Sequence, residues 1–245
     1  MKNIGLLCCT LMGLASAAPG KSAEPPSDTE IVTKLVNRMA FDPALFFYER
    51  GRDASDIRIA YTGDDYDYPV YSIAIARGCV TAAQPLERCS GRLTARMISA
   101  STTPDMDRPR QRGKALVEAL ISRDATEHAK IARLLPKLGV KWLETDFHSC
   151  PNATTVLGKS ASLNWVPKEI SRHGNRDDGS INIIVHADQV AVTFEGMARS
   201  STYRGYLADG SPAVWAEELA AVLEPCWKPS TATPPWNRTG RPRDR

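Results

Sequence analysis

Histidine is scarce in this chain of 245 residues, which carries only four. None stands in an H-E-x-x-H pair, and the cysteines show neither C-x-x-C nor a cysteine–histidine cluster, so the common zinc frameworks are excluded. No G-x-S-x-G turn occurs, which removes the nucleophile elbow. Gly158-Lys159-Ser160 ends like a phosphate-binding loop, but that pattern needs glycine at 153, where Ala153 stands. No motif calls for a cofactor. Charge of one sign is also in short supply: 31 Lys and Arg face 28 Asp and Glu. The excess gathers in Arg238, Arg241, Arg243 and Arg245, and the body lacks the concentrated basic face that a nucleic-acid partner requires. After residue 17 no apolar run approaches the roughly 20 residues of a bilayer span. No stable membrane insertion is therefore expected.

What is present begins with an export signal. Lys2 gives a positive start, and residues 4–15 form an apolar run through Leu6, Leu7, Leu11, Met12 and Leu14. Ala15-Ser16-Ala17 supplies small residues for cleavage, completing the three-part layout of a secretory signal over residues 1–17. Cys8 and Cys9 follow Leu7 and Cys8, not the small residue that lipid attachment needs. Cleavage removes both and leaves Cys79, Cys89, Cys150 and Cys226. An even number in an exported chain reads as disulfides, because export brings thiols into an oxidising compartment. Four cysteines allow three pairings; Cys79–Cys89 with Cys150–Cys226 is the favoured one. The protein is expected to be periplasmic or secreted.

Residues 18–27 are polar and Pro-rich and read as a flexible leader. A single α+β domain is expected over 28–226, with a disordered basic tail over 227–245. Ser27-Asp28-Thr29-Glu30 is a capping box ahead of Ile31, Val32, Leu35, Val36 and Met39 at helical spacing. Asp42-Pro43 starts a second short helix. Alternation over 56–62, 68–77 and 92–100 predicts three strands with one buried face each. Helices are predicted over 110–123 and 124–135, a strand over 140–147 and a weak helix over 153–163. Segments 181–186 and 189–195 read as a hairpin joined by Ala187-Asp188, with a further strand over 200–207. Ser211-Pro212 caps a last helix. The expected architecture is antiparallel sheet with helices packed on one side. A helix–three-strand–helix order recurs, and one reading of it is two similar halves, 28–138 and 139–226.

Four places hold candidate chemistry. Asp146 and His148 lie two residues apart at a predicted strand end, where a carboxylate beside an imidazole makes a general base. His186 and Asp188 flank the predicted turn, and the same chemistry applies. His173 sits in a charged, glycine-containing loop, a setting for binding. Most telling is the stretch from Tyr61 to Tyr71, where Tyr61, Tyr66, Tyr68 and Tyr71 mingle with Asp64, Asp65 and Asp67. Tyrosine offers rigid contact area with a polar tip, which suits recognition surfaces. The three aspartates lack the glycine and distal glutamate of a calcium loop. Tyr66, Tyr68, Asp64 and Asp65 are therefore the expected binding residues. Together these features point to an exported, non-enzymatic binding protein with a protein or envelope-polymer partner, an inhibitor or toxin-neutralising factor being one instance. The rival reading is an envelope-acting hydrolase using an Asp/His pair.

Overall fold

Alternating apolar residues decide the centre of the fold. Ile57, Ile59 and Tyr61 occupy every second position of β1 (Ile57–Gly63), and all three are buried. Strand β2 (Tyr68–Arg77) carries Ile73 and Ile75 toward the same side and Ser72, Ala74 and Ala76 toward the other. Strand β3 (Leu93–Ser99) follows antiparallel to β2, with Ile73 opposite Met97 and Ile75 opposite Ala95. Each fully buried isoleucine of this kind contributes about 1.5–3 kcal/mol. A computed structural model describes residues 26–49, 52–53, 55–63, 67–77, 92–100, 109–163, 165, 174–175, 181–182, 188–195, 200–207 and 209–238. The export signal, most of the leader, Asp64, Asp65, Tyr66, Cys79, Cys89, His173 and His186 lie outside the described residues.

Four further strands complete the sheet: β4 (Lys141–Asp146), β5 (Gln189–Glu195), β6 (Ser200–Gly205) and β7 (Lys228–Pro229). The order is β6-β5-β1-β2-β3-β4-β7, with antiparallel pairing throughout. Two short ribbons stand apart, Tyr48–Glu49 with Arg52–Asp53 and Gly174–Asn175 with Ile181–Asn182.

The helices start where the capping residues predict. Ser27 Oγ accepts the Glu30 N–H at the start of α1 (Asp28–Val36), which runs into a π-helical turn over Asn37–Phe41. Asp42 caps a short 3-10 turn, Pro43–Leu45, by accepting from the Ala44 N–H. Helix α2 (Pro109–Ile121) ends in a left-handed Asp124, and α3 starts at His128, later than Asp124 suggested (His128–Leu134). Helix α4 covers Ala153–Gly158, and Ser211 caps α5 (Pro212–Leu223) through the Val214 N–H.

The α+β architecture with an antiparallel sheet is present, but helices cover both faces of it. Leu116, Val117, Leu120 and Ile131 of α2 and α3 join Val32 and Val36 of α1 in one core against Ala74, Ile98 and Trp142. Ala153 and Val156 of α4 and Ala213, Trp215, Ala216 and Leu219 of α5 build the other against Ile59, Ile73, Ile75 and Val192. Both strand faces are apolar, so each needs its own cover. The two halves of the chain share this one sheet: β1 to β3 form its centre, and strands from 139 onward flank them on both sides.

Two expectations are corrected. Segment 189–195 does not pair with 181–186; β5 has β1 on one side and β6 on the other, so both of its edges are taken. Ile181–Asn182 pairs instead with Gly174–Asn175. The chain from 227 to 238 is not a floppy tail. Lys228–Pro229 pairs with β4, the Trp142 indole N–H donates to the Ala232 carbonyl at 2.9 Å, and Trp236 is buried. The Arg238 guanidinium donates to the Phe46 and Tyr48 carbonyls. The apolar anchors here are the isolated Ala232, Pro235 and Trp236, which leave no periodicity to read. The disulfide Cys150–Cys226 is formed and ties the end of α5 to the turn after β4.

Two measurements test this packing. Gly113 of α2 lies so close to β2 that a Cβ would overlap the Pro69 carbonyl. Gly113→Ala is expected to lower stability by about 1–3 kcal/mol in urea unfolding. Trp236→Ala is expected to cost about 3–5 kcal/mol, the usual loss for a buried tryptophan; an unchanged midpoint would mean the strap bears no load.

Candidate binding site at the hairpin end of the sheet

The described residues of the Tyr/Asp stretch, 61–63 and 67–71, lie at one end of the sheet. At this end β1 and β2 break register: Tyr61 faces Tyr71, whereas Thr62 faces Pro69. A bulge is where a sheet tolerates proline, which has no N–H for the ladder. Position 70 is the additional residue. The tyrosines then divide between the two faces. Tyr61 and Tyr71 stack on the α5 side, ring centroids 5.0 Å apart, whereas Tyr68 is buried in the core under α1 and α2.

On the α5 face the stacked phenols meet carboxylates. The Tyr61 hydroxyl donates to Asp188 Oδ2 at 2.9 Å, from the residue just before β5. The Tyr71 hydroxyl is sealed from solvent and has no hydrogen-bond partner among the described residues. Such a group costs about 1–3 kcal/mol relative to a satisfied one. Glu217, on the exposed flank of α5, completes the group electrostatically. Burial pushes both phenols well above the usual tyrosine range; the hydrogen bond and charge of Asp188 add to it for Tyr61, and the charge of Glu217 adds to it for both. The Glu217 carboxyl is itself raised, by desolvation first and by Asp188 second. Two carboxylates and two phenols thus share one small region, an environment that favours a ligand bearing positive charge.

The opposite face of the same end carries a groove of about 580 Å³. Ser27, Thr29, Glu30 and Thr33 of α1 form one wall, Lys114 of α2 the other, and Asp67 and Tyr68 close the end. Asp67 adopts φ 55°, a left-handed conformation tolerated by aspartate, and the Asn37 side chain holds its carbonyl at 2.8 Å. An apolar hollow beside Ile31, Lys34 and Leu35 lies on the far flank of α1.

The remaining candidates sit elsewhere. Asp146 Oδ1 accepts the backbone N–H of His148 at 3.0 Å, and Oδ2 accepts from Arg92 at 3.3 Å. That carboxylate caps the 3-10 turn Phe147–Ser149, and His148 is exposed on it. Asp188 is at the hairpin end, joined to Tyr61. Tyr68 lines the groove. Glu217 and Thr33 escaped the sequence reading because each looks like an ordinary helix residue; only the i, i+4 step from the buried Ala213 to Glu217 hinted at a carboxylate near the sheet. No protein family, no curated protein and no solved structure matches the chain.

The carboxylate coupling has a measurable sign. The folded-state pKa of Glu217 lies above the ordinary 4.5, so its stabilising contribution is full below that value and is lost as pH rises through the raised one. Glu217→Gln removes the loss. The stability difference in urea is expected to widen in favour of the variant between about pH 4 and pH 7. A difference that stays flat with pH would dissolve the coupling.

Proposed function

We propose that the protein is exported to the periplasm or beyond and works there as a non-enzymatic binding protein, using the hairpin end of its sheet to hold a partner protein or envelope polymer. Export is supported by the three-part N-terminal signal and by the Cys150–Cys226 disulfide, which suits an oxidising compartment. The observation that carries the binding reading is the Tyr61–Asp188 pair, stacked on Tyr71 with Glu217 nearby. The exposed Glu217 and half-buried Asp188 carboxylates recognise basic side chains through charge-assisted hydrogen bonds, and the buried Tyr61 phenol holds Asp188 in place beneath them. Asp64, Asp65 and Tyr66 belong to the same stretch of sequence and extend this chemistry.

A hydrolase remains the second reading on one specific ground. Two carboxyl groups that meet beside buried phenols can divide acid and base roles, and the Glu217 carboxyl is raised by desolvation first and by the Asp188 charge second. That reading moves the reacting pair from Asp146 and His148, or His186 and Asp188, to Asp188 and Glu217.

One experiment separates them. The purified full chain and its Asp188→Asn/Glu217→Gln variant are immobilised and exposed to envelope extract from the source cells. The binding reading expects at least a tenfold loss of the captured partner in the variant, with that partner intact. Equal capture by both proteins would sink it, and time-dependent cleavage of the partner by the wild type alone would favour the hydrolase.

A further inference from the structure

We propose that two copies of this chain join edge to edge through β6, two-fold related, to make one continuous antiparallel sheet. The surface involved is separate from the hairpin-end carboxylates and owes nothing to their reading.

The two borders of the sheet differ. The β7 border is two residues long, Lys228 and Pro229. Strand β6 is six residues long, keeps unbroken register with β5 and contains no proline. No described residue pairs with its outer edge, and Ser200, Ser201, Thr202 and Arg204 are exposed. A row of free backbone donors and acceptors is a template for a further strand. This row is held in place from within. Tyr203 is 4% exposed, and its hydroxyl donates to the Tyr206 carbonyl at 3.3 Å. Gly205 leaves the room that ring needs, because a Cβ there would overlap the Tyr203 hydroxyl.

Charge selects the occupant. The exposed Arg204 has no ion-pair or hydrogen-bond partner among the described residues. At the other end of the β5–β6 pair, Glu195 Oε1 takes Arg58 and Ser200, whereas Oε2 has no partner among the described residues. A two-fold axis normal to the sheet keeps the faces of both copies on the same sides, so only residues of one face lie opposite each other. Ser200, Thr202 and Arg204 share the face away from the buried Tyr203. An axis at Thr202 sets Arg204 opposite Ser200 of the second copy, and Ser200 pairs with Glu195. Arg204 then lies two strand spacings, about 10 Å, from Glu195 of the second copy, a gap that the two side chains close together. Symmetry makes this pair twice. Moving the axis to Ser201 or Tyr203 slides each charge about 7 Å past its mate. The same register sets Thr202 against its own copy and extends the Thr193–Thr202 hydroxyl contact, 3.2 Å, into a row of threonines across the seam. Leu207, two residues past β6 and 39% exposed, adds apolar surface beside this border. Any strand could satisfy the backbone; a second copy also brings the carboxylate that Arg204 lacks.

Sedimentation of the purified protein over about 5–200 µM measures the association. A monomer–dimer equilibrium with a Kd of about 1–100 µM is expected, because one strand pair buries less than a standard interface. Arg204→Glu changes an exposed side chain and is expected to raise Kd at least tenfold, about 1.4 kcal/mol or more, with Tm unchanged. Thr202→Cys is expected to form an interchain disulfide under mild oxidation. Arg204→Cys is not, since its symmetry mate lies roughly 14 Å along the seam. A protein still monomeric at about 200 µM overturns the proposal. So does a dimer that Arg204→Glu leaves intact, or one in which Arg204→Cys crosslinks as fast as Thr202→Cys. The Asp188→Asn/Glu217→Gln variant is expected to dimerise like the wild type, so this result and the capture result stand or fall separately.

Discussion

A single buried guanidinium holds three parts of this molecule together. Arg96 points from the middle of β3 into the core beneath α1 and α2, with its side chain 3% exposed. An unmatched charge there would cost several kcal/mol. It is matched on every side: Nε donates to Glu144 at 2.7 Å, one terminal nitrogen donates to the Phe46 carbonyl at 2.8 Å, and the guanidinium lies 4.4 Å from the Phe47 ring centroid. Glu144 in turn accepts from Ser230 of the C-terminal strap, and Trp142, edge-on to Phe46, holds Ala232. The segment after α1, the strands β3 and β4 and the strap therefore meet at one charge. An aliphatic side chain at 96 could fill the space but would not dictate which carbonyl and which carboxylate approach it. The ion pair sets register more than it adds stability.

How much of this was legible depended on range. The capping residues Ser27, Asp42 and Ser211 act within three positions of themselves, and each performs as its local pattern says. Alternation marked β1, whose every second residue is buried, but the one buried face expected of each strand does not hold for β2, which is buried on both faces, with small Ser72, Ala74 and Ala76 on one and Ile73 and Ile75 on the other. Pairing is another matter. Segments 181–186 and 189–195 satisfied every local criterion for a hairpin, yet β5 finds its neighbours about 130 residues earlier in β1 and a few residues later in β6. A strand's partners are chosen by which edges remain open, and that is a property of the whole sheet. The strap failed to show for the opposite reason: its anchors are isolated residues that acquire meaning only beside Trp142 and Phe46.

The site divides along the same line. The crowding of Tyr and Asp between 61 and 71 was visible, and its described residues, 61–63 and 67–71, lie at one end of the sheet. The sorting of Tyr68 and Tyr71 onto opposite faces follows strict alternation; what the register break at Tyr61/Thr62 changes is Val70, which joins Ile73 and Ile75 on the α5 side. Asp188 could be noticed as a turn residue, but its bond to Tyr61 joins positions 127 apart. Thr33 and Glu217 carry no local mark at all. Glu217 acts on the two phenols by its charge, from a helix more than 140 residues along the chain.

The last strand of the sheet is two residues long, and those residues are lysine and proline. A sheet edge is a template on which another chain can grow, and evolution blunts such edges with charge, brevity and missing donors. Lys228 and Pro229 supply all three at the β7 border. The strap that clamps Trp142 thus also acts as a selvedge. It finishes the woven edge on that side, which leaves the β6 border, with its polar Ser200, Ser201 and Thr202, as the other edge of this sheet.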